Sequence, residues 1–315
     1  MAKRICVAGI GAIGGLLAAM LGKRYAGDLS LIARGPRAEA LRRQGVVLHS
    51  EFYGELTAHP ARIASRGEEI GPQDIVFVCV KNYSLEQIAE SLRPAVDSRT
   101  TVIPVMNGTE AGDRLRALFP EAIVGDAVIY TVTGANADYT ITQKGPYTRM
   151  FIGDALPGDA ARTRAIREAY DLLKSVDFDA RWTDDIRGEI WQKYILNCAF
   201  NTMTARYRNT SGDIRASEQL KADAFALLSE TTAVARACGV SLPADIAEQK
   251  FAFMMEGQAP GATSSMRRDM DAGRQTEIDA FTGSVLRKAQ QYGLQAPVTR
   301  AYHEALLAEG ADRTV

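Results

Sequence analysis

Residues 4–14 read Arg4-Ile5-Cys6-Val7-Ala8-Gly9-Ile10-Gly11-Ala12-Ile13-Gly14. A short apolar run ends in glycine and opens a GxGxxG pattern. Ala12 to Arg24 then carries Ile13, Leu16, Leu17, Met20 and Leu21 at helical spacing. In the order strand, glycine turn, helix, the motif has a physical meaning. The glycines permit a tight turn, a close backbone approach to a pyrophosphate, and close packing of helix on strand. The amino end of the helix offers unpaired N–H groups and a positive dipole end to phosphates. Elsewhere the motif would be an ordinary glycine-rich turn. Here Gly9, Ile10, Gly11, Ala12, Ile13 and Gly14 are read as a dinucleotide site.

Outward from that turn, strand and helix patterns alternate. Leu29 to Ala33 is a second apolar run, stopped by Arg34-Gly35-Pro36, and residues 37–44 suit a short helix. Val46-Val47-Leu48 begins a hairpin-like stretch to about Ala64. Asp74 to Val80 is the strongest strand and lacks polar alternation, so both of its faces are expected to be covered. Residues 84–92 suit a helix and Thr100 to Val105 the next strand. These βαβ units predict a doubly wound, Rossmann-type α/β sheet.

Near residue 128 the character changes. Val128 to Ile152 alternates Thr, Tyr and Ile around Gly134, Asn136 and Gly145-Pro146, which predicts antiparallel strands, a hairpin on the sheet edge. From Asp159 nearly everything reads as helix, in segments 159–175, 185–206, 213–238, 243–256, 264–272 and 274–292. We expect a dinucleotide-binding domain over 1–184 and an all-α substrate and catalytic domain over 185–315.

Which dinucleotide is bound depends on the end of the second strand. NAD sites usually place Asp or Glu there for the ribose 2′-hydroxyl. This chain has Arg34, twenty residues after Gly14. A carboxylate would repel a 2′-phosphate, whereas a guanidinium can hold it, so NADPH is expected over NADH. The other reading of Arg34 is a solvated strand-end arginine.

The balance of 37 Lys plus Arg against 38 Asp plus Glu argues against non-specific nucleic-acid binding. The 46% hydrophobic and 24% charged residues are those of a soluble globular protein. No run of about 18 apolar residues or secretion signal is read, so a cytoplasmic location and no membrane partner are expected. Cys6, Cys79, Cys198 and Cys238 are scattered and read as reduced thiols. His49, His59 and His303 lack metal-site spacing, so no metal is expected.

Three places could carry chemistry. Lys193, Asn197 and Asn201 recur every four residues in an otherwise apolar and aromatic stretch, so they share one helical face. That stripe either faces a cleft or faces solvent. In a cleft, a partly desolvated lysine could act as general acid. The second place is Thr263-Ser264-Ser265-Met266 with Glu277 twelve residues after Ser265. Thr263 or Ser264 could simply cap a helix, and Glu277 could be surface charge or could orient a lysine or a ribose. The third is the pair of strand ends bearing Lys81-Asn82 and Met106-Asn107-Gly108. Ligands of open α/β sheets lie beyond such ends, although Asn107-Gly108 is also a plain turn sequence.

Taken together, GxGAIG at 9–14, Arg34, Val80-Lys81, Asn107-Gly108, Lys193-x3-Asn197-x3-Asn201, Ser264-Ser265-Met266-x2-Asp269 and Thr276-Glu277-Ile278-Asp279 resemble the ketopantoate reductase family, the NADPH-dependent 2-dehydropantoate 2-reductases. The resemblance implies a Rossmann-type domain followed by an all-helical domain, with the active site in a cleft between them. It implies reduction of 2-dehydropantoate to (R)-pantoate on the way to pantothenate and coenzyme A. It assigns Lys193 as proton donor, with Glu277 joining it in the catalytic pair. Asn197, Asn201, Ser211 and Ser265 are assigned to the substrate. Lys81, Asn107 and Glu277 fall on the cofactor side or organise the cleft, and Asn107 also orients the substrate.

Two departures stand out. Ser211 and Ala262 occupy positions where the family often has asparagine. They leave open another 2-oxo acid as substrate, and a non-catalytic NADPH-binding sensor is the reading from a different class. The helices of the second domain could pair across a two-fold axis as a homodimer.

Overall fold

The computed structural model describes residues 3–312. The chain divides into two compact units, Met1–Ile186 and Arg187–Val315.

The first unit holds two sheets. Strands β1 (Ile5–Ala8), β2 (Leu29–Ile32), β5 (Arg62–Ala64), β6 (Ile75–Val78), β7 (Thr101–Pro104) and β8 (Ile123–Val124) form a six-stranded sheet in the order β5-β2-β1-β6-β7-β8. Every pairing in it is parallel. Residues of β1, β2, β6 and β7 are all buried, which is why these strands show no polar alternation. Helices α1 (Ala12–Tyr25), α2 (Gly35–Gln44), α3 (Leu85–Leu92) and α4 (Ala111–Leu118) lie between the strands in sequence, and α5 (Ala160–Lys174) follows them. Asp159 starts α5 by accepting from the amides of Ala161 and Arg162.

The second sheet joins β3 (Val46–Ser50), β4 (Gly54–Ala58), β9 (Asp126–Ala135), β10 (Ile141–Gly153) and β11 (Ala180–Trp182). The expected hairpin at 128–152 forms as β9 and β10, but it is not an edge of the parallel sheet. β10 instead pairs in parallel with β3 and β11. β11 also corrects the all-helical reading after Asp159. Helix α1 packs against the parallel sheet and also against β3, β4, β9 and β10, so it is buried nearly all round. A Cβ on Gly15 would lie 2.5 Å from the Ile141 side chain, so this helix needs glycine where β10 presses on it.

The second unit is helical: α6 (Ile186–Tyr207), α7 (Ser211–Ala216), α8 (Glu218–Ala237), α9 (Ile246–Ala252), α10 (Ser265–Asp271), α11 (Ser284–Gln291) and α12 (Pro297–Ala308). The helix expected over 213–238 is two helices. Ser217 is extended, and its side chain caps Leu220 N, so α8 starts afresh there. The helix expected over 274–292 begins late. Gly273 takes a left-handed φ of 65°, and Thr276 bonds through N (3.2 Å) and Oγ1 (2.6 Å) to the Ala311 carbonyl. That pairing holds 274–278 out of helix, and a π turn at Asp279–Gly283 leads into α11. Helix α12 had no counterpart in the sequence reading.

Candidate active site

In the first unit, the turn from β1 to α1 has the geometry its glycines allow. Gly9 adopts φ +90°, where side chains are strained, and a Cβ there would reach 2.5 Å from Val80 Cγ1. A Cβ on Gly14 would lie 2.0 Å from the Gly9 carbonyl oxygen, so the helix start and the turn touch. Gly11 is different, because a Cβ there would meet nothing within 4 Å. It is the residue before α1, whose first turn has neither a side-chain cap nor an acidic residue. An open space over uncapped N–H groups fits the pyrophosphate of a dinucleotide.

The ends of β2, β6 and β7 surround this turn in the sheet order. Arg34 is exposed just after β2, and its Nε donates to the Ser65 carbonyl at 3.2 Å. Lys81 and Asn107 are half-buried after β6 and β7. Asn82, singled out in sequence only as the neighbour of Lys81, is buried and donates from Nδ2 to the Asn107 carbonyl at 2.9 Å. The two loops are therefore tied together by a side chain whose role sequence spacing could not show.

In the second unit, Lys193, Asn197 and Asn201 all lie on α6, so one helix carries the whole stripe. Lys193 and Asn197 are half-buried, and Asn201 is 4% exposed. Asn201 is heavily committed to protein. Its Oδ1 accepts from Ser265 Oγ and from Met266 N, both at 3.3 Å, and its Nδ2 donates to the Asn197 carbonyl at 3.0 Å. One amide thus brings the stripe and the Ser265 segment together.

Ser264, not Thr263, caps α10. Its Oγ accepts from Arg267 N at 3.1 Å and lies 2.7 Å from Thr204 Oγ1 of α6. Ser211 is buried. Its Oγ donates to Gln258 Oε1 at 2.7 Å, and its N donates to the Ala262 carbonyl at 3.0 Å, so the two departing positions are neighbours.

Glu277 is 5% exposed, not surface charge. Its carboxylate acts on the Lys193 amine. Burial lowers that amine from 10.5 to about 8, while the charge of Glu277 opposes the fall. Lys193 keeps some accessible surface, yet enough protein surrounds it for desolvation to dominate. Tyr194 ties α6 to the turn after Glu277, its hydroxyl lying 2.9 and 2.7 Å from the carbonyls of Ala280 and Phe281. A lysine lowered to about 8 and acted on by a buried carboxylate is equipped for proton transfer.

No group of three His, Cys, Asp or Glu able to hold a metal occurs among the described residues, and all four cysteines are free thiols. No helix among those residues is long and apolar enough to cross a membrane.

Comparison with known proteins gives a consistent picture. The family described as ketopantoate reductase PanE/ApbA matches residues 5–157, and its C-terminal counterpart matches 185–309. The uncharacterised oxidoreductase YkpB of Bacillus subtilis is 30% identical, over 96% of this chain and 97% of its own. A 2-dehydropantoate 2-reductase of Mesorhizobium japonicum is also 30% identical, over 90% of each chain. The crystal structure of a PanE/ApbA family ketopantoate reductase from Ralstonia eutropha superposes with a TM-score of 0.85 at 27% identity, covering 97% of this chain and 98% of the other.

Proposed function

The chain belongs to the ketopantoate reductase family of oxidoreductases, which use a nicotinamide nucleotide, and we propose that it catalyses the NADPH-dependent reduction of 2-dehydropantoate to (R)-pantoate. The observation that carries this reading is the Lys193–Glu277 pair, a buried carboxylate acting on an amine lowered to about 8.

The residues divide the work as follows. Gly9 to Gly14 and the start of α1 would hold the pyrophosphate, and Arg34 the 2′-phosphate. Lys81 and Asn107 border the same nucleotide. When bound, the reduced nicotinamide supplies a hydride for C2 of the 2-oxo acid. Lys193 donates its proton to the C2 oxygen, so the carbonyl becomes a hydroxyl and the amine is left neutral. At pH 7 an amine of about 8 is roughly nine-tenths protonated, yet it gives up its proton far more readily than an ordinary lysine. Glu277 keeps the ammonium form populated. Asn197 and the hydroxyl of Ser265 orient the substrate, and Asn201 holds Ser265 in place.

Ser211 and Ala262 favour a second reading inside the same family, reduction of a different 2-oxo acid. With the Ser211 hydroxyl given to Gln258 and no amide at 262, the substrate's polar tail has fewer partners. A panel of 2-oxo acids assayed by NADPH oxidation decides between the readings. 2-Dehydropantoate should give the highest kcat/KM, and a clear preference for another acid would replace it. Comparing NADPH with NADH on the same substrate tests Arg34, and equal kcat/KM values would remove it from the nucleotide site. Lys193→Ala should abolish most turnover while NADPH still binds. Wild-type kcat in that variant would refute the proton-donor role.

A further inference from the structure

Loops beyond the carboxyl ends of parallel strands have left the strand ladder, so side chains can help to fix their position. In the loop after β7, one such fixing point is the Asn107 carbonyl, which accepts from Asn82 Nδ2 at 2.9 Å. Asn82 is 7% exposed, so its amide is held inside the protein. The Asn107 carbonyl only accepts and so takes Nδ2, and a third residue holds the amide in that same orientation. Arg114 of α4 places Nη1 3.5 Å from Asn82 Oδ1 and Nη2 3.0 Å from the Asn82 carbonyl. A guanidinium only donates, so it selects the amide orientation that turns Oδ1 toward itself and Nδ2 toward Asn107. Glu86 of α3 in turn grips Arg114, at 2.6 and 2.8 Å from Nη2 and 3.1 Å from Nε. Glu86 is well exposed, and an exposed ion pair adds little stability. What the pair does supply is a fixed direction for the guanidinium.

We propose that Glu86, Arg114 and Asn82 form a positioning relay that sets the Asn107 loop, and through it the affinity for the nicotinamide nucleotide. None of the three touches the reacting atoms, so they are positioning residues. The proposal rests on the reading above that Asn107 borders the bound nucleotide.

The test is NADPH binding to the full-length protein, followed by nicotinamide fluorescence, with Tm measured beside it. Arg114→Ala and Asn82→Ala should each raise Kd about fivefold, the effect of losing one well-placed hydrogen bond. The double variant should bind no more weakly than either single one, because both act on the same contact. Arg114→Lys retains an ion pair with Glu86 but lacks the fork that spans two Asn82 atoms. It should stay as weak as Arg114→Ala, and it tests the relay even where Asn82→Ala does not fold. Effects that multiply in the double variant, full affinity in Arg114→Lys, or a lowered Tm with unchanged Kd would overturn the relay. Wild-type protein that binds no NADPH would remove the nucleotide reading and the relay with it. Wild-type binding with unaffected variants would remove the relay alone.

Discussion

Replacing Lys193 by Met should make the protein more stable at neutral pH while destroying its turnover. In the unfolded chain this amine titrates at its ordinary 10.5, whereas in the folded protein burial lowers it to about 8. Between those two values the unfolded chain holds a proton that the folded chain does not. Stability therefore rises with pH through that window. Below about pH 8 the folded protein must carry a charge its surroundings disfavour. At about 1.4 kcal/mol per pH unit, the full span corresponds to roughly 3 kcal/mol of lost stability at pH 7.

Met keeps the length of the side chain and removes the charge. The attraction of Glu277 for the charged amine is already contained in the value of about 8, and by pH 10 the folded amine is neutral, so losing that attraction adds nothing further to the interval. The diagnostic quantity is consequently the pH dependence. Urea unfolding of wild type and Lys193→Met at pH 7 and pH 10 should show the wild type gaining about 2.5 kcal/mol on the variant across that interval. A difference that stays flat from pH 7 to 10 would mean that Lys193 titrates normally in the fold. The general-acid assignment would then lose its physical basis.

The same titration should appear in catalysis. kcat/KM for the 2-oxo acid should fall as pH rises through about 8, and Glu277→Gln should move that break to lower pH by removing the charge that supports the ammonium form; an unmoved break would separate the two residues. Gly14→Ala would set a methyl group 2.0 Å from the Gly9 carbonyl oxygen. It should cost about 1–3 kcal/mol in thermal or urea unfolding and greatly weaken NADPH binding, and an unchanged Kd would refute the turn's role. Asn201→Ala leaves Ser265 Oγ and Met266 N without their acceptor. A loss of about 1–3 kcal/mol in urea unfolding is expected, together with a raised KM for the 2-oxo acid.

The glycine turn between β1 and α1 was legible because its requirements are local. A tight turn followed at once by a helix demands small residues within six positions, and GxGxxG records that demand directly. Lys193, Asn197 and Asn201 were legible as a line for the same reason, since helical spacing is a property of a short segment. What a line of residues meets is not. The stripe alone allowed either water or protein around Lys193, and what decides is the burial of the amine in the fold, with the buried Glu277, 84 positions later, acting on it. Asn201 shows the limit more sharply. Its position on the stripe was evident, but its acceptor oxygen is given to Ser265 and Met266, 64 and 65 residues away.

The second sheet was missed although one sequence signal pointed to it. Alternation in 141–152 marks a strand and says nothing of its partners, so pairing with β3 and β11 was out of reach. Helix α1, however, has no polar face over Ala12 to Leu21. A helix with only one sheet beneath it would have kept a wetted side. Gly15 in that helix, where Ala would favour helix formation, points the same way, because its missing side chain is the space that Ile141 fills. An all-round apolar helix after a glycine turn is thus itself evidence of a second layer. In this chain that layer presses on the helix whose free amino end faces the open space above Gly11, and the glycines of α1 answer two demands at once, one from the turn and one from the sheet behind it.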